Sequence, residues 1–284
     1  MIFGAHESIT GGFHEAVARA VEDGCEAVQI FTGPPARWTI PSIEREAAEI
    51  FRLVLEASGL GSVLAHGPYL INPASPDPDL WIRSKVALGE ECRRCRTLGI
   101  RQVIIHPGSH RGTSIGDGVR RAAEMIGQVL EENPEGPGLL LENTAGSGSS
   151  IGGSFSHLAA IRELAGNPER VHYCFDTAHA FAAGYDLRDS TAVNNTLRRV
   201  DGEVGMGNVL AVHLNDSGKE LGSRVDRHQR IGKGFIGLKG FGALLSREEL
   251  SGVPGILETQ PLPEDEGRYR PELRLLKKLR GTGK

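Results

Sequence analysis

The ten residues Val171-His172-Tyr173-Cys174-Phe175-Asp176-Thr177-Ala178-His179-Ala180 combine two demands. The run is apolar and aromatic enough for a buried strand, yet it stops on a carboxylate and an imidazole follows three residues later. The same event recurs along the chain. Short apolar runs end on or next to His66, His106, Glu142, Asp176, His213 and Glu258. Any one of these has a plain structural explanation as a hydrogen-bonded rim residue, but six in succession make independent coincidence a poor account. His179, together with Asp226-x-His228, raises the set to four carboxylates and five imidazoles.

That inventory is larger than a Ser-His-Asp triad uses, and it lacks the cysteines of structural zinc sites. Gathered without cations, the carboxylates would repel one another and carry a heavy desolvation cost. Divalent cations resolve the conflict. Imidazole mixed with carboxylate suits zinc, with manganese or iron as alternatives. Nine donors suffice for three ions with positions left open for water and substrate. A turn between Asp176 and His179 would then aim the two side chains at different ions. Three divalent ions would convert the formal net charge of −4 into about +2, all of the gain in one cleft. A locally positive cleft fits a phosphate ester, whose oxygens clustered metals polarise. Without metals the same charge argues against nucleic-acid binding, because such domains are usually basic.

Elements must deliver these side chains to one place. Candidate strands are Ile2–Ala5, Ala27–Phe31, Val63–His66, Gln102–His106, Leu139–Glu142, Val171–Asp176, Val209–Leu214 and Gly255–Glu258. Between them run amphipathic helical segments, one with Ile43, Ala47, Ile50, Phe51 and Val54 on a face, another with Val119, Ala122, Ala123, Ile126 and Val129. Eight strands alternating with helices in 284 residues is the pattern of the α/β TIM (β/α)8 barrel, whose active site sits at the C-terminal ends of its strands. A doubly wound sheet would want a Gly-rich phosphate loop after the first strand, and Gly4-Ala5-His6-Glu7-Ser8 is not one. The strand–helix rhythm crosses Gly146-Ser147-Gly148-Ser149-Ser150, which reads as a barrel loop, so residues 1–284 are expected to form a single domain. No apolar run approaches a membrane span. With no visible secretory signal and no disulfide pattern among four cysteines, a cytoplasmic location is expected.

At these residues the chain resembles the endonuclease IV family, the zinc-dependent apurinic/apyrimidinic endonucleases of DNA repair. The motifs are Gly4-Ala5-His6, the stretch from His66 to Asn72 (HGPYLIN), His106-Pro107-Gly108-Ser109-His110 and Glu142-Asn143-Thr144-Ala145-Gly146. They continue with the stretch from Asp176 to Asp186 (DTAHAFAAGYD), His213-Leu214-Asn215-Asp216-Ser217, the stretch from Gly222 to His228 (GSRVDRH) and Leu257-Glu258-Thr259. The match spans roughly residues 1 to 262. The resemblance implies one zinc on His66, His106 and Glu142. A second would share Glu142 and add Asp176, His213 and Glu258, and a third would take His179, Asp226 and His228. It implies hydrolysis of the phosphodiester 5′ to an abasic site in double-stranded DNA, leaving a 3′-hydroxyl and a 5′-deoxyribose phosphate, by a monomer. Hydroxide held between the first two zincs would attack in line, and the third would steady the departing 3′ oxygen. Glu142 as the bridge and Glu258, orienting or deprotonating the attacking water, are the catalytic carboxylates on this reading. Tyr69 and Leu70 hold the positions that the family wedges into bent DNA beside a flipped-out nucleotide.

One stretch departs from the family. Its usual Lys-Asn pair followed by Arg-Gln-Trp is replaced by Gly33-Pro34-Pro35-Ala36-Arg37-Trp38. The arginine that enters the base stack is displaced by one position, to Arg37, in a loop stiffened by two prolines. His6 and His110 belong to the rim, either behind the ligands, against DNA, or as rim structure. Cys92 and Cys95 share a helical face with Trp81 and Leu88 and read as core thiols, as does Cys174. His14, His157 and His172 are given no chemistry. The basic run from Arg268 to Lys284, with Lys277, Lys278 and Arg280, reads as a solvated helix end. A sugar isomerase or epimerase would use the same barrel with one or two metals, and Asp226, His228 and His179 speak against it. A catalytically silent relative is the other alternative, kept open by the altered loop.

Overall fold

The computed structural model describes residues 1–281, and its eight barrel strands run β1 (Ile2–Glu7), β2 (Ala27–Phe31), β3 (Ser62–His66), β4 (Gln102–Ile105), β5 (Gly138–Glu142), β6 (Val171–Asp176), β7 (Val209–His213) and β8 (Pro254–Leu257). They close in chain order into a parallel barrel, with β1 pairing to both β2 and β8. Parallel neighbours need a crossover between them, and helices supply it: α1 (Phe13–Asp23), α2 (Arg45–Ser58), α3 (Pro78–Leu98), α4 (Ile115–Glu132), α5 (Phe155–Leu164), α6 (Thr177–Ala182) with α7 (Ser190–Val204), and α8 (Gly237–Leu245); α9 (Arg270–Gly281) follows the last strand. This is a TIM barrel. The expected strands all form. His106 and Glu258 fall one residue beyond the last ladder residue of β4 and β8, because the pairing ends before the rim side chains do.

Helix faces follow their periodicity. On α4, Val119, Ala122, Ala123, Ile126 and Val129 are all buried against the barrel, each large aliphatic contributing about 1.5–3 kcal/mol by leaving water. On α2 the stripe is rotated from the expected one. Ala48 and Phe51 are buried while Ile50 is exposed, since Phe51 takes the position against Phe13 of α1, ring centroids 6.1 Å apart. Cys92 and Cys95 are buried on α3 with Leu88, and all four cysteines are free. Among the described residues no helix is long and apolar enough to cross a membrane. Lys284 lies outside the described residues.

The barrel interior decides which side chains reach the rim. A layer of Ala27, Leu64, Ile104, Leu140, Cys174, Ala211 and Ile256 fills the middle, separate from the larger core beneath the helices. Strand side chains alternate faces with a period of two. Two residues beyond each member of that layer stand Gln29, His66, His106, Glu142, Asp176, His213 and Glu258. The parity that buries the apolar layer therefore aims all seven polar side chains inward at the C-terminal mouth. One layer is apolar and the next is polar, with no irregularity needed between them.

Candidate metal centre

The bottom of the mouth is organised around Glu142, which is buried at the end of β5. Its Oε2 lies 3.2 Å from His66 Nε2 and 3.0 Å from His106 Nε2, and its Oε1 lies 3.0 Å from His213 Nδ1. His213 Nδ1 also stands 3.1 Å from Glu258 Oε2 and 3.9 Å from Asp176 Oδ2. A second knot lies outward. His179 Nε2 and His228 Nε2 face each other at 3.4 Å, with Asp226 Oδ2 3.3 Å from the first and Asp226 Oδ1 3.4 Å from the second. His228 Nε2 is also 3.6 Å from Asp176 Oδ2.

These spacings suit cations. Donors around a tetrahedral zinc, at bond lengths near 2.0–2.1 Å, are about 3.3 Å apart. Eight of the nine expected donors fall into three compact groups, His66 with His106 and Glu142; Glu142 with Asp176, His213 and Glu258; and Asp176 with His179 and His228, where Asp176 stands in the place expected of Asp226, whose two oxygens each face a different imidazole. Glu142 and Asp176 each belong to two groups. The opposed Nε2 atoms of His179 and His228 are informative, since two imidazole nitrogens gain little from each other but can share an ion. Hydrogen bonds behind the rings fix which nitrogen is free. His66 Nδ1 donates to Gly67 O at 2.9 Å and His179 Nδ1 to Asn143 O at 2.9 Å, which leaves both Nε2 atoms facing the mouth. His213 is reversed. Its Nε2 donates to Gln29 Oε1 at 2.9 Å, so Nδ1 is the free atom. The donor chemistry, the spacing and the tautomers all fit divalent metal.

The electrostatics agree. Burial alone would raise the Glu142 carboxyl, but His213, His106 and His179 around it hold it well below the usual carboxylate range. Burial likewise opposes charge on His179, yet Asp176, Asp226 and Glu142 hold its imidazole well above the ordinary value. Protons and metal ions compete for such nitrogens, because a ligand must be deprotonated.

Asp176 and His179 are joined differently from the expected turn. Asp176 caps helix α6, its Oδ1 accepting the His179 N–H at 2.6 Å, and this sets the two side chains side by side. Asp226 and His228 sit on a long loop after β7, and buried Asp216 shapes that loop. The Asp216 carboxylate accepts N–H groups from Ser217, Gly232, Gly234, Ile236 and Gly237. A Cβ on Gly234 would lie 2.3 Å from Ser217 O, so only glycine lets the chain wrap this closely. Ser217 then pairs with His228 in a two-residue antiparallel ribbon.

Other predicted residues take different places. Tyr69 is exposed on the β3–α3 loop, its ring 5.3 Å from Phe31 and 6.4 Å from His66. Leu70 lies beside it, and both line a cavity of ≈ 460 Å³ next to the donors. Arg37 is exposed on the β2–α2 loop and lines neither that cavity nor the ≈ 400 Å³ one over the donors. His6 joins the donors from behind, Nδ1 4.0 Å from Glu258 Oε1, with burial pushing its pKa down to about 3. His110 is tied through its backbone to Ser149 of the Gly146–Ser150 stretch, which is an anchored loop. Three polar residues were not foreseen. Asn143 exchanges hydrogen bonds with the Asp176 backbone, Asn215 donates to Asp176 and Glu258, and Gln29 touches His6, His213 and Glu258. For Gln29 a signal existed: it is the one polar residue in Ala27-Val28-Gln29-Ile30-Phe31, at inward parity.

Known proteins resemble this chain closely. The family model for xylose isomerase-like TIM barrels matches residues 17–279. A protein of a Geobacter species named probable endonuclease 4 is 43% identical over 266 residues, 93% of this chain and 94% of its own. One of the same name from Chloroflexus aurantiacus is 42% identical over 278 residues, 98% of this chain and 97% of its own. Among solved structures, endonuclease IV from Thermus thermophilus has a TM-score of 0.87 at 34% identity, covering 99% of this chain and 100% of that one. A D-tagatose 3-epimerase-like protein, at 16% identity and a TM-score of 0.71 over 100% of this chain and 97% of its own, shares the fold.

Proposed function

We propose a DNA-repair reaction for this chain, which belongs to the endonuclease IV family within the xylose isomerase-like TIM barrels. It hydrolyses the phosphodiester 5′ to an abasic site in double-stranded DNA, leaving a 3′-hydroxyl and a 5′-deoxyribose phosphate. The observation that carries this reading is the convergence of five imidazoles and four carboxylates on one rim, at spacings that suit divalent ions, in a chain whose relatives are named endonucleases.

Three zinc ions, with manganese as a substitute at some positions, would be held by this set. His66, His106 and Glu142 take one. Glu142, Asp176, His213 and Glu258 take the next, and His179, Asp226 and His228 take the third. Bound there, the ions would polarise the phosphoryl oxygens, make water nucleophilic at neutral pH and steady the leaving oxygen.

The protein's own groups divide the remaining work. Glu142 presents one oxygen to each side of the inner pair of sites. Glu258 accepts a hydrogen bond from the attacking water and orients it. Asp226 is the most exposed of the nine, with a side chain 54% accessible, which suits the site nearest incoming DNA. Tyr69 and Leu70 enter the gap left by the displaced nucleotide, and Arg37 makes a contact with the duplex from the other side. One barrel acting as a monomer suffices.

The test is an incision assay on a duplex with a single abasic-site analogue, paired with elemental analysis of the same preparation. Cleavage 5′ to the lesion with about three metals per chain is expected. Three metals without cleavage would redirect attention to another phosphodiester. One metal and no cleavage would return the barrel to sugar-isomerase chemistry.

A further inference from the structure

Gln29 occupies a position that no ligand scheme names. It is fully buried at inward parity on β2, across the mouth from the donors of β5 and β6. Its amide makes three contacts. Oε1 lies 2.9 Å from His213 Nε2, and Nε2 lies 2.8 Å from Glu258 Oε1 and 2.9 Å from His6 Nδ1. An amide has one acceptor oxygen and two N–H donors, so all three contacts are used at once and the orientation of the amide is fixed. Glu258 cannot donate, so it receives one N–H. His213 must then give its Nε2 proton to the oxygen, so that a singly protonated ring, the form a metal ligand requires, presents its Nδ1 lone pair on the side of Glu142 and Glu258. His6 must accept the second N–H at Nδ1, 2.9 Å away.

We propose that Gln29 is a positioning residue for the proposed reaction. One amide clamps Glu258 and His213 together, assigning the tautomer of the imidazole and occupying one carboxylate oxygen so that the other faces the site. The division of the Glu258 oxygens supports this. Oε1 is taken by Gln29, while Oε2 lies 3.1 Å from His213 Nδ1 and 3.2 Å from Asn215 Nδ2. Asn215 also holds the Glu258 backbone N–H through Oδ1 at 3.1 Å. Glu258 follows the last ladder residue of β8, where no strand pairing restrains it. Its aim therefore depends on these two amides, one on β2 and one just after β7. Outer partners of metal-site ligands are typically worth about 10–100-fold in metal affinity or activity.

The proposal rests on the endonuclease reading, and its test separates the two. The unchanged protein is first assayed for incision of an abasic duplex; absence of incision there defeats that reading, not the clamp. Gln29→Leu, close in volume, removes the amide, and Gln29→Glu keeps the acceptor for His213 while placing a second carboxylate against Glu258. For Gln29→Leu we expect kcat to fall about 10–100-fold with KM for the abasic duplex within twofold, and zinc to leave faster to a chelator. Gln29→Glu should lose at least as much. Unchanged kcat and zinc retention in both variants would overturn the proposal, as would losses that track only a lowered melting temperature. Should neither variant fold, nitrogen NMR of the unchanged zinc-loaded protein decides. His213 must carry a slowly exchanging proton on Nε2, and a proton on Nδ1 would overturn the clamp.

Discussion

His66 and Tyr69 are three residues apart, yet one is 5% exposed and the other 67%. His66 is the last residue of β3, its ring held by a backbone carbonyl on one side and Glu142 on the other. Tyr69 is on the following loop, where its backbone N–H reaches Pro35 O at 3.2 Å and its ring leans on Phe31. Barrel closure fixes the first to within the spacing of its neighbours. Loop-to-loop contact fixes the second far less. Under the proposed function, this difference would give the chemistry to the strand ends, where geometry is over-determined, and the grip on substrate to loops, which vary more freely.

That division can be broken most decisively at Glu142. Glu142→Ala should lose metal from the inner sites and lower incision by about a thousandfold or more, since several kcal/mol of stabilisation of the reacting phosphate are at stake. Elemental analysis with single-turnover incision measures both, and retained metal with retained rate would show that the strand ends are not the chemical half of the rim. Glu258→Gln is the finer cut. It should keep abasic-DNA binding and reduce turnover by about 10²–10⁴-fold, the range of a water-directing carboxylate. Near-normal turnover would remove Glu258 from that role. Tyr69→Ala tests the other side of the comparison. Losing one stacking aromatic should cost about 1–3 kcal/mol of lesion binding while metal content stays level. A parallel fall in both would make Tyr69 a structural rim residue.

The same contrast governed what could be read in advance. Strands and donors were legible because one rule, a period of two, both buries Ile104 and Leu140 and aims His106 and Glu142. The rule needs only local sequence. Asn143 escaped it because it stands at the opposite parity, next to Glu142, and Asn215 because it lies two residues past the end of β7; the partners of both are at the ends of neighbouring strands. Gln29 obeyed parity but has no ligand chemistry of its own, so its importance appears only with His213 and Glu258 beside it. The orientation of Asp176 relative to His179 depended on a helix cap, which the expected turn did not contain. Ile50 was misplaced on α2 because one helix surface accommodates adjacent apolar stripes, and only packing against α1 selects between them.

Arg37 is where the comparison predicts the smallest effect. The β2–α2 loop is braced from behind: buried Arg94 of α3 donates to Thr32 O and Pro41 O, Glu91 accepts from Thr32 Oγ1 at 2.8 Å, and Arg83 stacks on Trp38 at 4.3 Å. Arg37 closes a turn with its N–H 3.2 Å from Pro34 O, and the residue is exposed. Neutralising one phosphate contact changes the salt slope of binding by about one and weakens binding similarly for all sequences. Insertion into the base stack would instead be lesion-dependent and less sensitive to salt. Binding of Arg37→Ala to abasic and intact duplexes, across a salt series, separates these. We expect a severalfold loss for the abasic duplex that exceeds the loss for intact DNA, with kcat unchanged. Equal losses on both duplexes would mean that Arg37 touches only the backbone. No loss on either would show that the proline-stiffened loop does not replace the missing arginine, leaving recognition to Tyr69 and Leu70.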